Sequence, residues 1–303
     1  VRLSDIDLRL LRVFKAIVEA RGLVGAQLTL NMAQSTVSTH LSELEKRLGF
    51  RLCHRGRAGF SLTRDGQQIY EGCVELFSAA DRIQNIAASI SGSMKGVLRI
   101  GMIDAVISNR VWNLPAIIRS FSEHASEVVI ELKVGSSAEM EQELIEGKRD
   151  IVIGSFFHKR VGLNYIPVFR ERQSIYCSLD HELASKKEVP VEELSSYPFL
   201  VRRYLNRYNI EKISGNIVPN AFVENMEAHA ALILSGRFIG FLPQHYAEAL
   251  PPHARLHRIP ASPSVDYLST FYIIYRAQGD DNILVRNFLN RVKENLPDEI
   301  AEA

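Results

Sequence analysis

Apolar residues recur at helical spacing through the first third of the chain and in strand-like runs through the rest. Between Asp5 and Ala20 they fall at Leu8, Leu11, Phe14, Ile17 and Val18, the three-and-four rhythm of a helix with one buried face. Arg21-Gly22 breaks that rhythm. A short second helix is expected over roughly Leu23 to Leu30, with Asn31 where a tight turn belongs. A third helix is expected from about Gln34 to Leu48, with Val37, Leu41, Leu44 and Leu48 inward and Gly49 closing it. Its other face carries Gln34, Ser35, Ser38, Thr39 and His40, short hydrogen-bonding side chains with no acid among them. Such a face suits a major groove, where donors and acceptors must reach base edges and phosphates; it also fits an ordinary solvated helix face.

Phe50 to Arg55 and Phe60 to Thr63 read as two short strands around a loop holding Gly56, Arg57 and Gly59. A hairpin in this position, after three helices, is a wing, and Arg55 and Arg57 are expected along the phosphate backbone or in the minor groove. Thr63 then caps a long helix of about 28 residues. Along it Ile69, Cys73, Leu76, Ala80, Ile83, Ala87 and Ile90 alternate spacings of four and three. That is the seam of a helix pair, hence of a dimer, or else the inner face of a surface helix packed on its own chain.

Ser91 to Gly96 has the composition of a hinge, and beyond it strands and helices alternate. Strands are expected at Val97–Gly101, Val128–Val134, Ile151–Ile153, Ser174–Ser178, Pro198–Val201, Ala221–Val223, Ile239–Leu242 and Leu268–Tyr275. Helices are expected at Val111–Phe121, Met140–Ile145, Ala228–Leu234 and Ile283–Asn295. The fold class is therefore multidomain: an all-α winged helix-turn-helix with a linker helix, then an α/β body.

Charge sharpens this division. The first 63 residues hold ten Lys and Arg against five Asp and Glu, whereas the whole chain of 303 residues is only +1. A basic end on a mildly acidic body suggests that this end meets a polyanion. No run is apolar enough to span a bilayer and the amino terminus lacks a leader's hydrophobic stretch, so a cytoplasmic, nucleoid-associated protein with no membrane partner is expected. Three scattered cysteines and nine histidines show no metal-ligand spacing. Neither a nucleophile elbow nor a phosphate-binding glycine loop is present, so neither catalytic residues nor a resident cofactor or metal is expected.

Phe14, Ala26, Leu30, Gln34, Val37, Ser38, Leu41, Leu44-Glu45, Leu48-Gly49, Leu52, Arg55, Leu62-Thr63 and Gly66 resemble, in order and spacing, the DNA-binding domain of the LysR-type transcriptional regulators. Gly135-Ser136-Ser137, Met140, Leu144, Gly147 and Asp150 are similar to a later strand–helix unit of that family, as is Ser235 to Pro243 to its second-lobe glycine segment. The resemblance implies a two-lobed α/β sensor of the periplasmic-binding-protein kind with a small-molecule co-inducer between the lobes. It further implies dimers paired into tetramers on double-stranded promoter DNA, with RNA polymerase as a possible further partner. Carried onto this chain, the DNA-binding domain is 1–63 and the linker helix 64–92. The sensor is 97–303, its first lobe 97–169 with 271–303 and its second 170–270. Ala33 stands where the family usually has Ser, which removes a helix cap worth about 1 kcal/mol. Gln27 and Cys53 depart similarly from a small alanine and an aromatic.

For the effector, the resemblance points to Ile103 and Asp104 after the first strand, Ser136 and Ser137 opening the next helix, and Phe156 after the third strand. In the second lobe it points to Arg202, Asn225 and Met226. The serines also fit simple helix caps, Phe156 fits core, and Asp104 fits either a cation-binding wall or an N-cap. Cys177 reads as buried filler. Two other readings stand beside the regulator: an enzyme with an accessory amino-terminal region, and a DNA-binding regulator whose cleft is filled by Phe156 and its neighbours.

Overall fold

A computed structural model describes residues 4–54, 59–90, 94–202, 218–277 and 282–297. The chain divides into two compact units, 1–83 and 84–303.

In the first unit, helices α1 (Asp5–Glu19), α2 (Leu23–Leu30) and α3 (Gln34–Leu48) enclose a core of Leu10, Phe14, Ile17, Val37, Leu41 and Leu44. Ser4 and Asp7 form a reciprocal cap on α1, and the Asp7 carboxylate also meets Arg47 at 2.6 Å. Asn31, at φ 50°, ends α2 in the left-handed region, which sets the turn into α3. Ala33 precedes α3 in extended backbone and offers no side-chain cap, as its methyl dictates. After Gly49 the chain returns past α3, where the Glu45 carboxylate accepts the N–H of Leu52 at 2.9 Å and of Cys53 at 3.3 Å. Strands β1 (Cys53–His54) and β2 (Ser61–Leu62) pair antiparallel and are shorter than the sequence pattern suggests. Helix α4 (Arg64–Ile90) then opens with the Thr63 hydroxyl accepting the N–H of Gly66 at 2.8 Å. Gly66 is required there, because a Cβ would lie 1.9 Å from the Leu52 carbonyl oxygen.

The second unit is built on a nine-stranded sheet. Strands β3 (Lys95–Met102), β4 (Glu127–Val134) and β5 (Ile151–Ser155) run parallel at one end. Helices α5 (Leu114–His124) and α6 (Ser137–Ile145) connect them. At the other end β8 (Phe199–Arg202), β9 (Pro219–Val223) and β10 (Ile239–Pro243) are again parallel, with α7 (Met226–Leu234) and α8 (Gln244–Ala249) beside them. Short strands β7 (Val189–Pro190) and β12 (Ala261–Ser262) pair apart from the main sheet, and β11 (Leu256–Arg258) pairs with the end of β6 (Leu163–Ser178). The two halves are joined by β6 and β13 (Tyr267–Arg276), which pair antiparallel from Leu163 opposite Arg276 to Gln173 opposite Tyr267.

Each half has its own apolar core. One gathers Leu98, Ile100, Trp112, Ile153, Phe169 and Phe288, the last on the final helix α9 (Ile283–Lys293). The other gathers Ile175, Cys177, Phe199, Val201, Ile239 and Phe241. Two lobes joined by long crossover strands place any polar residues of those strands between the cores.

Candidate functional site

On α3, Gln34, Ser35 and Thr39 are exposed and Ser38 is half-buried. Thr36, which the sequence reading passed over, is exposed on the same first turn. The Thr39 hydroxyl donates to the Ser35 carbonyl at 2.9 Å. His40 departs from expectation. Both its ring nitrogens are shielded from solvent and have no hydrogen-bond partner among the described residues, so this conformation does not offer them to a base. Arg55 and Arg57 lie outside the described residues.

The heptad positions of α4 divide into two groups. Cys73 is 2% exposed within the core of α1–α3, with Ile69 and Leu76 packed against that core. Cys73 is therefore used by its own protomer, which corrects its assignment to a seam with a partner. Burial pushes its thiol up to about 11, and the Cys177 thiol likewise to about 11. Ala80 is half-buried and Ala87 exposed, while Ile83, Ile86 and Ile90 are 68%, 45% and 83% exposed.

Between the lobes, the expected residues part company. Ile103 is buried in the first lobe's apolar core and its N–H bonds the Ile153 carbonyl, so it is packing and not a cleft wall. Phe156 packs edge-on against Tyr165, 6.1 Å between centroids, beside the Met140 and Leu144 side of α6, which makes it packing as well. Ser136 caps α6 through the N–H of Glu139, and Ser137 is buried with no hydroxyl partner among the described residues. The structure does bring Asp104, Arg202 and Met226 together. The Asp104 carboxylate accepts the Met226 N–H, and Arg202 Nη1 lies 3.6 Å from Met226 Sδ. Asn225 serves as the cap of α7, accepting the N–H of Ala228 at 2.8 Å.

The residues that complete this site come from the crossover strands and α8. Arg202 Nη2 donates to Gln173 Oε1 at 3.4 Å, and Gln173 Nε2 donates to Glu171 Oε1 at 2.5 Å. Glu171 Oε2 meets His245 Nε2 at 2.7 Å, and His245 Nδ1 meets Ser108 Oγ at 2.9 Å. Glu171, Gln173 and Arg202 are all buried. A hydrogen-bonded chain thus crosses from the first lobe at Ser108 to the second at Arg202. Burial pushes the Tyr267 phenol up; the Arg202 guanidinium pulls it back and the Glu171 charge raises it, so this hydroxyl senses both charged groups. Nearby, burial and then Arg202 hold His229 far below the ordinary imidazole range, which keeps that ring neutral. Its Nε2 would lie 2.7 Å from a Cβ at position 240, hence Gly240.

Glu171 and Gln173 carry no signal in the sequence, because every residue of their run is charged or polar and the alternation is one of burial alone. In Arg170-Glu171-Arg172-Gln173 the two arginines are exposed and the acid and amide buried, a strand's period of two written in polar residues. Separately, a hollow of about 660 Å³ opens beside α8, with Tyr176, Gln244, Glu248, Arg255 and Arg258 in its lining. Among the described residues no cluster of metal-ligating side chains occurs, and no helix is long and apolar enough to cross a membrane.

Residues 8–67 match the family model of bacterial regulatory helix-turn-helix proteins of the lysR family, and residues 91–297 match the LysR substrate binding domain. The HTH-type transcriptional activator BauR of Pseudomonas aeruginosa is 30% identical over 294 residues, covering 96% of each chain. Among solved structures, CbnR, a LysR family transcriptional regulator, superposes with a TM-score of 0.68 at 20% identity over 96% of this chain and 99% of that one. Full-length CbnR complexed with its target DNA gives 0.66 at 20% identity, over 95% and 99%.

Proposed function

Since this chain belongs to the LysR family of transcriptional regulators, we propose that α3 reads promoter DNA under the control of a small molecule held where Asp104, Glu171, Gln173, Arg202 and Met226 converge. The observation that carries the sensor half of this reading is the polar chain from Ser108 to Arg202, of which Glu171, Gln173 and Arg202 are buried. Buried charged groups are costly unless paired, so a row of them between lobes marks a place built for a polar occupant. The occupant is a co-inducer rather than a resident cofactor, and no step of catalysis is assigned to these residues.

On the DNA side, Gln34, Ser35, Thr36 and Thr39 form the exposed contact face, with Ser38 and the wing residues Arg55 and Arg57 on phosphates. The exposed isoleucines 83, 86 and 90 on α4 meet their counterparts in a second copy. Two such dimers form the tetramer, and RNA polymerase is its further partner at the promoter, in the bacterial nucleoid. The working boundaries are 1–63 for DNA binding, 64–92 for the dimerising helix and 97–303 for the sensor.

The test is capture and sequencing of fragmented genomic DNA by the purified full chain, followed by gel-shift titration of the enriched promoter with and without extracted metabolites. A small set of enriched promoters, and a metabolite fraction that alters affinity or footprint, are expected. Capture of fragments without preference would overturn the DNA reading. Enrichment that no metabolite fraction alters would overturn the sensor reading and favour a regulator that ignores small molecules.

A further inference from the structure

The cleft holds a buried acid and a buried guanidinium on either side of one neutral amide. Gln173 turns its NH2 toward Glu171 and its carbonyl toward Arg202, at 2.5 and 3.4 Å. A primary amide in this orientation presents a donor to the carboxylate and an acceptor to the cation. An ammonium and a carboxylate on a single small molecule would present the same pattern with full charges, and charge-assisted hydrogen bonds are roughly twice as strong as neutral ones. We propose that the effector is a small zwitterion, with its ammonium seated on Glu171 and its carboxylate on Arg202 in place of the Gln173 amide. This rests on the cleft reading above and adds the chemical class of the ligand.

Three further observations support the class. Asp104, the other acid at the cleft, is engaged by the N–H of Met226, which leaves Glu171 as the carboxylate facing the amide. A single side-chain amide bridges Glu171 and Arg202, at 2.5 and 3.4 Å, so the two charged groups lie close enough to share one short ligand. Finally, a ligand of one charge sign would replace only half of what the amide supplies: a bare carboxylate on Arg202 would offer Glu171 no donor in place of the Gln173 NH2, and a bare amine on Glu171 would offer Arg202 no acceptor in place of the Gln173 carbonyl.

The experiment is calorimetric titration of the full-length protein with straight-chain ω-amino acids of two to six carbons, and with alkanoates and alkylamines of the same lengths. At least one amino acid should bind tenfold or more tightly than the alkanoate and the alkylamine of its length. Glu171→Gln should weaken that amino acid at least tenfold without weakening the alkanoate. Arg202→Gln should weaken it similarly without weakening the alkylamine. Glu171→Asp and Arg202→Lys keep the charge and should keep the preference, which separates charge recognition from misfolding. An alkanoate or alkylamine that binds as tightly as the amino acid, yet is lost with Arg202→Gln or Glu171→Gln, overturns the zwitterion and leaves the cleft standing. Silence across the whole series also overturns the class alone. Binding indifferent to both charges and lost with Arg255→Ala or Arg258→Ala moves the ligand to the hollow beside α8 and overturns the cleft as well.

Discussion

The carboxylate of Asp104, just beyond the end of β3, accepts the backbone N–H of Met226, the first residue of α7. One lobe thereby caps a helix of the other. The first N–H groups of a helix have no partner within it, and the local dipole favours an anion there. Asn225 already satisfies the N–H of Ala228, so the two acceptors divide the first turn between them.

Replacing Asp104 by Ala should therefore cost about 1–2 kcal/mol, the range of a lost cap with its charge. The sensor's melting temperature should fall by a few degrees, and amide exchange should speed up at Met226 while Ala228 stays protected. Unchanged exchange at Met226 would mean that water replaces the carboxylate without cost.

On α4, Cys73 and Ile83 occupy the same seam by spacing but opposite situations in space, one 2% and the other 68% exposed. Ile83→Glu and Ile90→Glu should each shift the protein to smaller species in sedimentation, with the fold of α1–α3 unaltered. Cys73→Asp should instead unfold the helical unit, because a charge buried without a partner costs several kcal/mol. Equal loss of oligomer from both kinds of variant, at unchanged helicity, would restore Cys73 to the interface.

That contrast shows what the sequence made legible. Heptad spacing located α4 and its apolar face, but spacing does not say which protein covers that face, since Cys73 lies in the Phe14 core and Ile83 is exposed. Local signals fared best where the cause is local. Asn31 and Gly49 ended their helices in the left-handed region and Thr63 capped α4 as their chemistry requires. The crossover strand β6 was legible only at its apolar end, 174–178. Its middle, Arg170 to Gln173, is polar because it passes between the two cores, and a polar run with Pro167 upstream carries no apolar signal of strand. Glu171, Gln173 and His245 were missed for that reason: they meet through the fold, the acid and the histidine 74 positions apart in the chain. Ile103 and Phe156 failed conversely, since an apolar residue after a strand fits core and cleft alike.

Asp7 predicts an acid limit to the stability of the helical unit. The Ser4 hydroxyl and N–H, and then Arg47, hold its carboxyl below the ordinary value of 3.8. A depressed value in the folded state means the contribution is fully present above 3.8 and is lost as pH falls through the lower, folded value. Between pH 5 and 3 the melting temperature of the parent protein should therefore fall more steeply than that of Asp7→Asn. Parallel curves would show that the cap and the Arg47 pair leave no net preference for the ionised form.

Ala33 sits in extended backbone, φ −63° and ψ 144°, a conformation that suits a capping serine. Ala33→Ser should stabilise the helical unit by about 1 kcal/mol, read as a rise of a few degrees in its melting temperature. No rise would mean that solvent already satisfies the first-turn amides equally well.

Gln34 is the exposed long amide at the head of α3, and its side chain has the donor and acceptor needed to read adenine by two hydrogen bonds. Gln34→Ala should cost about 1–3 kcal/mol on the selected promoter and little on unrelated duplex DNA, with the salt dependence unchanged. Arg55→Ala should do the opposite, weakening all duplexes alike and flattening the dependence on salt, because a phosphate contact releases a counterion whatever the sequence. Anisotropy titrations at several ionic strengths distinguish the two. If Gln34→Ala weakened both duplexes equally, the residue would be holding the backbone, and base readout would pass to Thr36 and Thr39 on the adjoining turns of the same exposed face.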